Sequence, residues 1–292
     1  MQAEKTLRLV FGQWQGGNVT RLIPDLDEKS GSQGYSVGAQ ILDLLLPKTQ
    51  SEIMRVPVDM RYERREQDKV LDRDIIFRQT KDALKLINIS APDKIVTIGG
   101  ECSVSVPPFS YLSAKYPDDV CMLWIDAHPD ITLPGDAYNG WHAMAVSALL
   151  GKADSKICDE LPGLIKPEHV LYLGLRDWER DEIKQREQNW GLKHLTPEDL
   201  SCGPDKLIAF LQQCPCSKVV VHFDLDVLDP ADIFCAVGNV PNGLKLQQCV
   251  ELIKTAALYK DLVGLTVAEL LPRTVIRLTN ALKELPLISA QS

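Results

Sequence analysis

The sequence predicts an α/β fold, a three-layer α/β/α sandwich around a mostly parallel sheet of about eight strands. Three observations carry this. Short β-branched runs alternate with helical patterns along the whole chain. The strand runs are almost wholly apolar, as expected of strands covered on both faces. No repeat, low-complexity tract or linker interrupts the 292 residues, a length one large core can fill. The chain is therefore expected to form one domain over 1–292. Taken in order, the strands are expected at 7–11, 54–58, 94–98, 120–125, 169–175, 192–195, 219–223 and 263–267. Between them the spacing predicts helices at 38–46, 68–87, 107–115, 142–150, 179–189, 204–214, 246–259 and 274–285. The stretches 13–36 and 131–140, rich in Gly, Asn, Asp and Pro, are expected to be irregular rims of a site.

Composition narrows the function class. Apolar content is 45% and charged content 25%, ordinary for a globule. The net charge of −8 argues against a nucleic-acid surface and suits a cationic substrate. Met1-Gln-Ala-Glu-Lys-Thr6 carries no signal-peptide pattern, and no apolar run approaches membrane-spanning length. Eight cysteines are scattered, several inside apolar strands or helices, as reduced core cysteines are. Cys214-Pro-Cys216 is too closely spaced for a usual zinc or redox pair and is read as structural. A cytoplasmic enzyme with no membrane or nucleic-acid partner is the expectation.

The chemistry concentrates at two strand ends. Trp124-Ile-Asp126-Ala-His128-Pro-Asp130 places three ligand-type side chains at every second position after an apolar run. An extended backbone would aim all three to one side, past the C-terminal edge where open α/β sheets place their sites. Lys218-Val-Val-Val-His-Phe-Asp224-Leu-Asp226-Val-Leu-Asp229-Pro230 repeats the pattern. Asp229-Pro230 alone reads as a turn. Five acids and imidazoles gathered together would repel or stay unpaired unless a cation held them, so a shared metal site is expected.

With these segments, the chain resembles the arginase (ureohydrolase) family, which includes arginase, agmatinase, formimidoylglutamase and other guanidino-compound hydrolases. The family's segments read here, in order, as Gly99-Gly100-Glu101-Cys102, Asp126-Ala-His128-Pro-Asp130, Trp141-His142, Asp224-Leu-Asp226-Val-Leu-Asp229-Pro230 and Val267-Ala-Glu269. The resemblance implies a hydrolase with two divalent ions, usually manganese. Asp126 and Asp224 would bridge them, His128 and Asp226 would complete one site, and Asp130 would bind the other ion. A bridging hydroxide would attack the guanidinium carbon, releasing urea and an amine, with arginine to ornithine as the leading reaction. His142 would deliver a proton to the leaving amine and Glu269 would grip the guanidinium as a fork. The family also implies a trimer or hexamer.

Cys102 departs from the pattern, which has a metal-binding His there. A thiolate is softer than imidazole and admits zinc, iron or cobalt in place of manganese. It also adds negative charge, so a non-catalytic metal-binding relative is the second alternative. Gly174-Leu-Arg176-Asp177-Trp-Glu179-Arg-Asp181-Glu182 resembles the segment whose acids hold the substrate's amino group, through Asp177, Glu179 and Glu182. Thr132 and Tyr138 stand where arginases carry an Asn and a Ser, and Asn239 completes the expected substrate contacts. Agmatine, a formimidoyl amino acid and other guanidines are the alternative substrates.

Overall fold

The structure, a computed structural model, describes residues 4–48 and 51–283. Its sheet strands are β1 (Thr6–Phe11), β2 (Glu52–Arg55), β3 (Lys94–Gly99), β4 (Val120–Ile125), β5 (Val170–Leu173), β6 (Lys193–Leu195), β7 (Lys218–Asp224) and β8 (Asp261–Ala268). The main helices are α1 (Glu28–Leu45), α2 (Arg73–Ser90), α3 (Val106–Lys115), α4 (Ala145–Leu149), α5 (Asp181–Asn189), α6 (Asp205–Gln213), α7 (Leu246–Tyr259) and α8 (Arg273–Leu282). The eight strands form one sheet in the order β2-β1-β3-β8-β7-β4-β5-β6, and every neighbouring pair is parallel. The expected eight-stranded sheet is present, and it is parallel throughout.

The three layers follow from period-two alternation. Met122 and Trp124 of β4 and Val220 of β7 face a core shared with α2, α3 and α4. Cys121, Leu123 and Ile125, with Val219, Val221 and Phe223, face the opposite core with α6 and α7. Every residue of β4 is buried, which explains its unbroken apolar run. Each fully buried aliphatic or aromatic side chain contributes about 1.5–3 kcal/mol over an exposed one. Among the described residues, no helix is long and apolar enough to cross a membrane.

Element boundaries differ from the expectations where tertiary contacts override local preference. Helix α1 begins ten residues before the expected position 38, capped by the Asp27 carboxylate accepting from Ser30 N–H at 2.9 Å. Its glycines suggested a loop, yet they serve close packing. A Cβ on Gly38 would lie 1.9 Å from the Leu270 carbonyl oxygen, and one on Gly34 would lie 2.3 Å from Leu271 Cδ1. Strand β2 ends three residues early because Pro57 has no N–H to continue the ladder after Val56 N–H reaches the Val10 carbonyl at 2.9 Å. The expected helix start at 68 is instead a small antiparallel hairpin, Glu66–Gln67 with Val70–Leu71. Asp68 and Lys69 adopt the two positive φ values of its tight turn. The predicted 142–150 helix opens with a 3-10 turn over His142–Met144. Residues 284 and 285 of the last predicted helix lie outside the described residues.

Candidate active site

Four adjacent strands of the sheet centre, β3, β8, β7 and β4, each deliver side chains to one point at their C-terminal ends. After β3 the chain must pass beneath Gln13, and a Cβ on Gly100 would sit 1.9 Å from the Gln13 carbonyl oxygen. Glu101 then turns inward. Its carboxylate accepts from Gln13 Nε2 at 2.7 Å, Ser103 N at 2.8 Å and Ser103 Oγ at 2.9 Å, which fixes the turn presenting Cys102. After β8, Glu269 holds a left-handed backbone at φ 69° and donates its N–H to the Gly100 carbonyl at 2.7 Å.

The two carboxylate-tipped strands converge by turns rather than by continued extension. Strand β4 stops at Ile125, and Asp126 Oδ1 accepts the His128 N–H at 2.6 Å. Asp130 then takes φ 49°, and its carbonyl receives Val146 N–H at 3.1 Å and Ser147 N–H at 3.3 Å. In the second segment Asp224 Oδ1 accepts from Asp226 N–H at 2.7 Å. The expectation of straight i, i+2, i+4 projection thus gathered the right side chains through the wrong local geometry.

Cys102, Asp126, His128, Asp130, His142, Asp224, Asp226 and Glu269 all line one cleft. Three groups of ligand atoms lie mutually within 4.8 Å: Asp126 with His128 and Asp226, Cys102 with Asp126, His222 and Asp224, and Cys102 with His142 and Glu269. His128 Nδ1 is 2.9 Å from Asp226 Oδ2. The Cys102 thiol lies 3.1 Å from Asp224 Oδ2 and 3.2 Å from Glu269 Oε1. Asp130 Oδ2 and His222 Nε2 are buried with no hydrogen-bond partner.

Burial of like charges dominates the electrostatics. Burial first, then the neighbouring Asp226 and Asp126 carboxylates, raise Asp224 well above the usual range; burial and Asp126 do the same to Asp130. Burial, then Asp130 and Glu269, push the Cys102 thiol far up. Burial would lower His128, but Asp226 and Asp126 outweigh it and hold its imidazole well above 6.5. His142 behaves likewise, with Tyr138, Glu269 and Asp130 overcoming burial. Crowded acids, with Asp130 Oδ2 and His222 Nε2 left unpartnered, are what a divalent cation would relieve, so this donor set fits such ions.

The remaining predicted residues separate into two groups. Thr132, Tyr138 and Glu179 line the cleft. Tyr138 Oη is 2.6 Å from His142 Nε2 and accepts the Asn18 N–H at 2.9 Å. Asp177 Oδ2 stands 3.8 Å from His128 Nε2 just outside. The exposed Glu182 accepts from Arg180 Nε at 3.0 Å instead of reaching the cleft. Asn239 follows the cleft-lining Gly238, and both its amide atoms are buried without partners. Sequence reasoning missed Tyr35, hidden in the glycine-rich start of α1, and Arg21, a cation at the cleft wall. It also missed His222, although the alternation that joins Asp224 and Asp226 reaches back to it. Burial lowers His222 to about 4.

Comparison with known proteins agrees with this geometry. The sequence profile described as the Arginase family matches residues 51–282. An arginase of Glaciozyma antarctica is 28% identical over 211 residues, covering 68% of this chain and 61% of that protein. An arginase of Eremothecium gossypii is 30% identical over 185 residues, covering 61% of this chain and 46% of that protein. Both alignments thus span less than two thirds of the relatives' own length. The fold superposes on the solved structure of Entamoeba histolytica arginase in complex with L-ornithine with a TM-score of 0.78, at 20% identity and 97% coverage of both chains. The agmatine ureohydrolase of Thermoplasma volcanium gives 0.63 at 16% identity, covering 96% and 88%. Profile, relatives and sheet together establish that the chain belongs to the arginase family.

Proposed function

We propose that this protein is a metal-dependent ureohydrolase acting on a small guanidino substrate, with arginine to ornithine and urea as its reaction. The observation that carries the reading is the meeting of paired carboxylate–histidine donors with His142 and Glu269 in one cleft. Asp126, His128 and Asp226 would hold one divalent ion; Cys102, Asp224 and Asp130 would hold a second with Asp126. When bound, such ions supply Lewis acidity and a water of lowered pKa.

The chain's own residues do the rest. Glu269 offers a buried carboxylate to the guanidinium, and its left-handed backbone turns it over Cys102. His142 sets Nε2 2.6 Å from Tyr138 Oη and Nδ1 3.4 Å from Glu269 Oε1, partners that favour its protonated form against the cost of burial. It is therefore poised to donate a proton to the departing amine. Arg21 on the cleft wall favours a substrate bearing a carboxylate over agmatine, which has none.

Urea release measured from arginine and agmatine, with manganese, cobalt, iron and zinc compared, tests the proposal. Arginine turnover with one of these metals is the expected result. Uptake of metal without release of urea from either compound would favour another amidine substrate or a non-catalytic relative.

A further inference from the structure

We propose that His222 is a metal ligand, supplying from β7 the imidazole that position 102 lacks. This rests on the metallohydrolase reading. His222 is fully buried, two residues before Asp224 on the same face of β7. Its ring stacks on Trp124 of β4, centroids 3.7 Å apart and planes 17° from parallel. Its Nδ1 lies 2.8 Å from Ser105 Oγ. Its Nε2 is buried, has no hydrogen-bond partner and stands 3.9 Å from Asp224 Oδ2.

A core histidine satisfied by packing would bond both nitrogens. Here neither tautomer achieves that. With the proton on Nδ1, Ser105 accepts it and a lone pair at Nε2 faces the acids. With the proton on Nε2, a buried donor faces an oxygen too distant to accept it. A cation resolves the mismatch. The Nδ1–Ser105 contact is the outer hydrogen bond that ligating histidines typically make. The donor atoms of His222, Cys102, Asp126 and Asp224 already lie within 4.8 Å of one another. Imidazole adds no charge, whereas a further acid would over-neutralise the ion. One sulfur, one nitrogen and carboxylate oxygens form a softer set than nitrogen and oxygen alone, so zinc, ferrous or cobalt ions should be preferred over manganese at this position.

The test uses the full chain stripped of metal and titrated with cobalt(II), with bound metal counted by mass spectrometry and the optical spectrum recorded. Wild type should take two ions, one giving a sulfur-to-cobalt absorption from Cys102. His222→Gln should weaken that ion at least about tenfold and alter its visible bands, leaving the other ion in place. His128→Asn should do the reverse. Ser105→Ala, a smaller change, should weaken the same ion as His222→Gln and keeps the test decisive if the glutamine variant does not fold. Wild-type affinity and spectrum in both variants would overturn the proposal and leave the ureohydrolase reading standing. No uptake of cobalt, zinc or manganese by wild type would sink both.

Discussion

Gly38→Ala should damage both the fold and the site, through one contact. The added methyl would stand 1.9 Å from the Leu270 carbonyl oxygen, against 3.4 Å for an ordinary contact, so helix or strand end must give by roughly 1.5 Å. Backbone lies on both sides, so no rotamer relieves it. Overpacking of this kind costs about 1–3 kcal/mol, and alanine returns about 1 kcal/mol of helix propensity. A net loss of up to about 2 kcal/mol corresponds to a fall of up to roughly 4 °C at this chain length. Leu270 follows Glu269 directly, so the displacement reaches the carboxylate. A 1 Å misplacement at a reacting group costs about 10²-fold in rate. Gly31→Ala on the same helix is the control, since its nearest contact is 3.6 Å and it should be neutral or stabilising by up to about 1 kcal/mol. Thermal unfolding and urea release of the two variants check the argument. A Gly38→Ala protein with wild-type midpoint and turnover would show that α1 does not set the position of Glu269.

Three further outcomes are expected. Glu269→Gln should lower kcat/KM for arginine by about 10²-fold or more if, as proposed, the carboxylate positions the reacting carbon; steady-state kinetics showing full turnover would remove the guanidinium fork from the mechanism. Cys102→His should raise manganese occupancy and urea release together by replacing a soft sulfur with a neutral imidazole, and unchanged manganese content in the variant would make Cys102 structural or already an adequate ligand. In acid, Asp136 should cease to stabilise the fold. Burial raises its carboxyl, but the two-pronged Arg186 contacts at 2.5 and 3.0 Å outweigh it and hold it below the usual range. A folded pKa below the unfolded value near about 4 means a contribution present above that pH and lost as pH falls through the folded value. The midpoint gap between wild type and Asp136→Asn should therefore shrink below about pH 4, and a gap independent of pH would count against the pairing.

What the sequence disclosed and what it concealed divide along a physical line. Apolar runs such as 120–125 and 219–223 announced their strands because burial on both faces leaves no polar position. The acids beyond them stood out because nothing in an apolar core explains them. Hidden features depended on distant partners. The first ten residues of α1 looked like a loop, since only the position of Leu270 and Leu271 explains glycine in that helix. His222 passed as one more strand residue because its meaning lies in Ser105, Trp124 and Cys102, from other segments. Glu182 carried the right charge in the right segment, yet Arg180 two residues earlier holds it outside the cleft.

Asp130 and Glu269 share an uncomfortable backbone, at φ 49° and 69°. Such a conformation suits glycine or asparagine and costs other residues of order 1 kcal/mol or more. Selection for heat tolerance and selection for chemistry therefore pull these two positions in opposite directions. A library randomised at 269 and enriched only for survival of heating should fill with glycine and asparagine and lose urea release. The same library enriched for urea release should keep glutamate at lower thermal midpoints. Equal midpoints for the two outcomes would show that the surrounding packing, rather than the side chain at 269, sets the stability of that strand end.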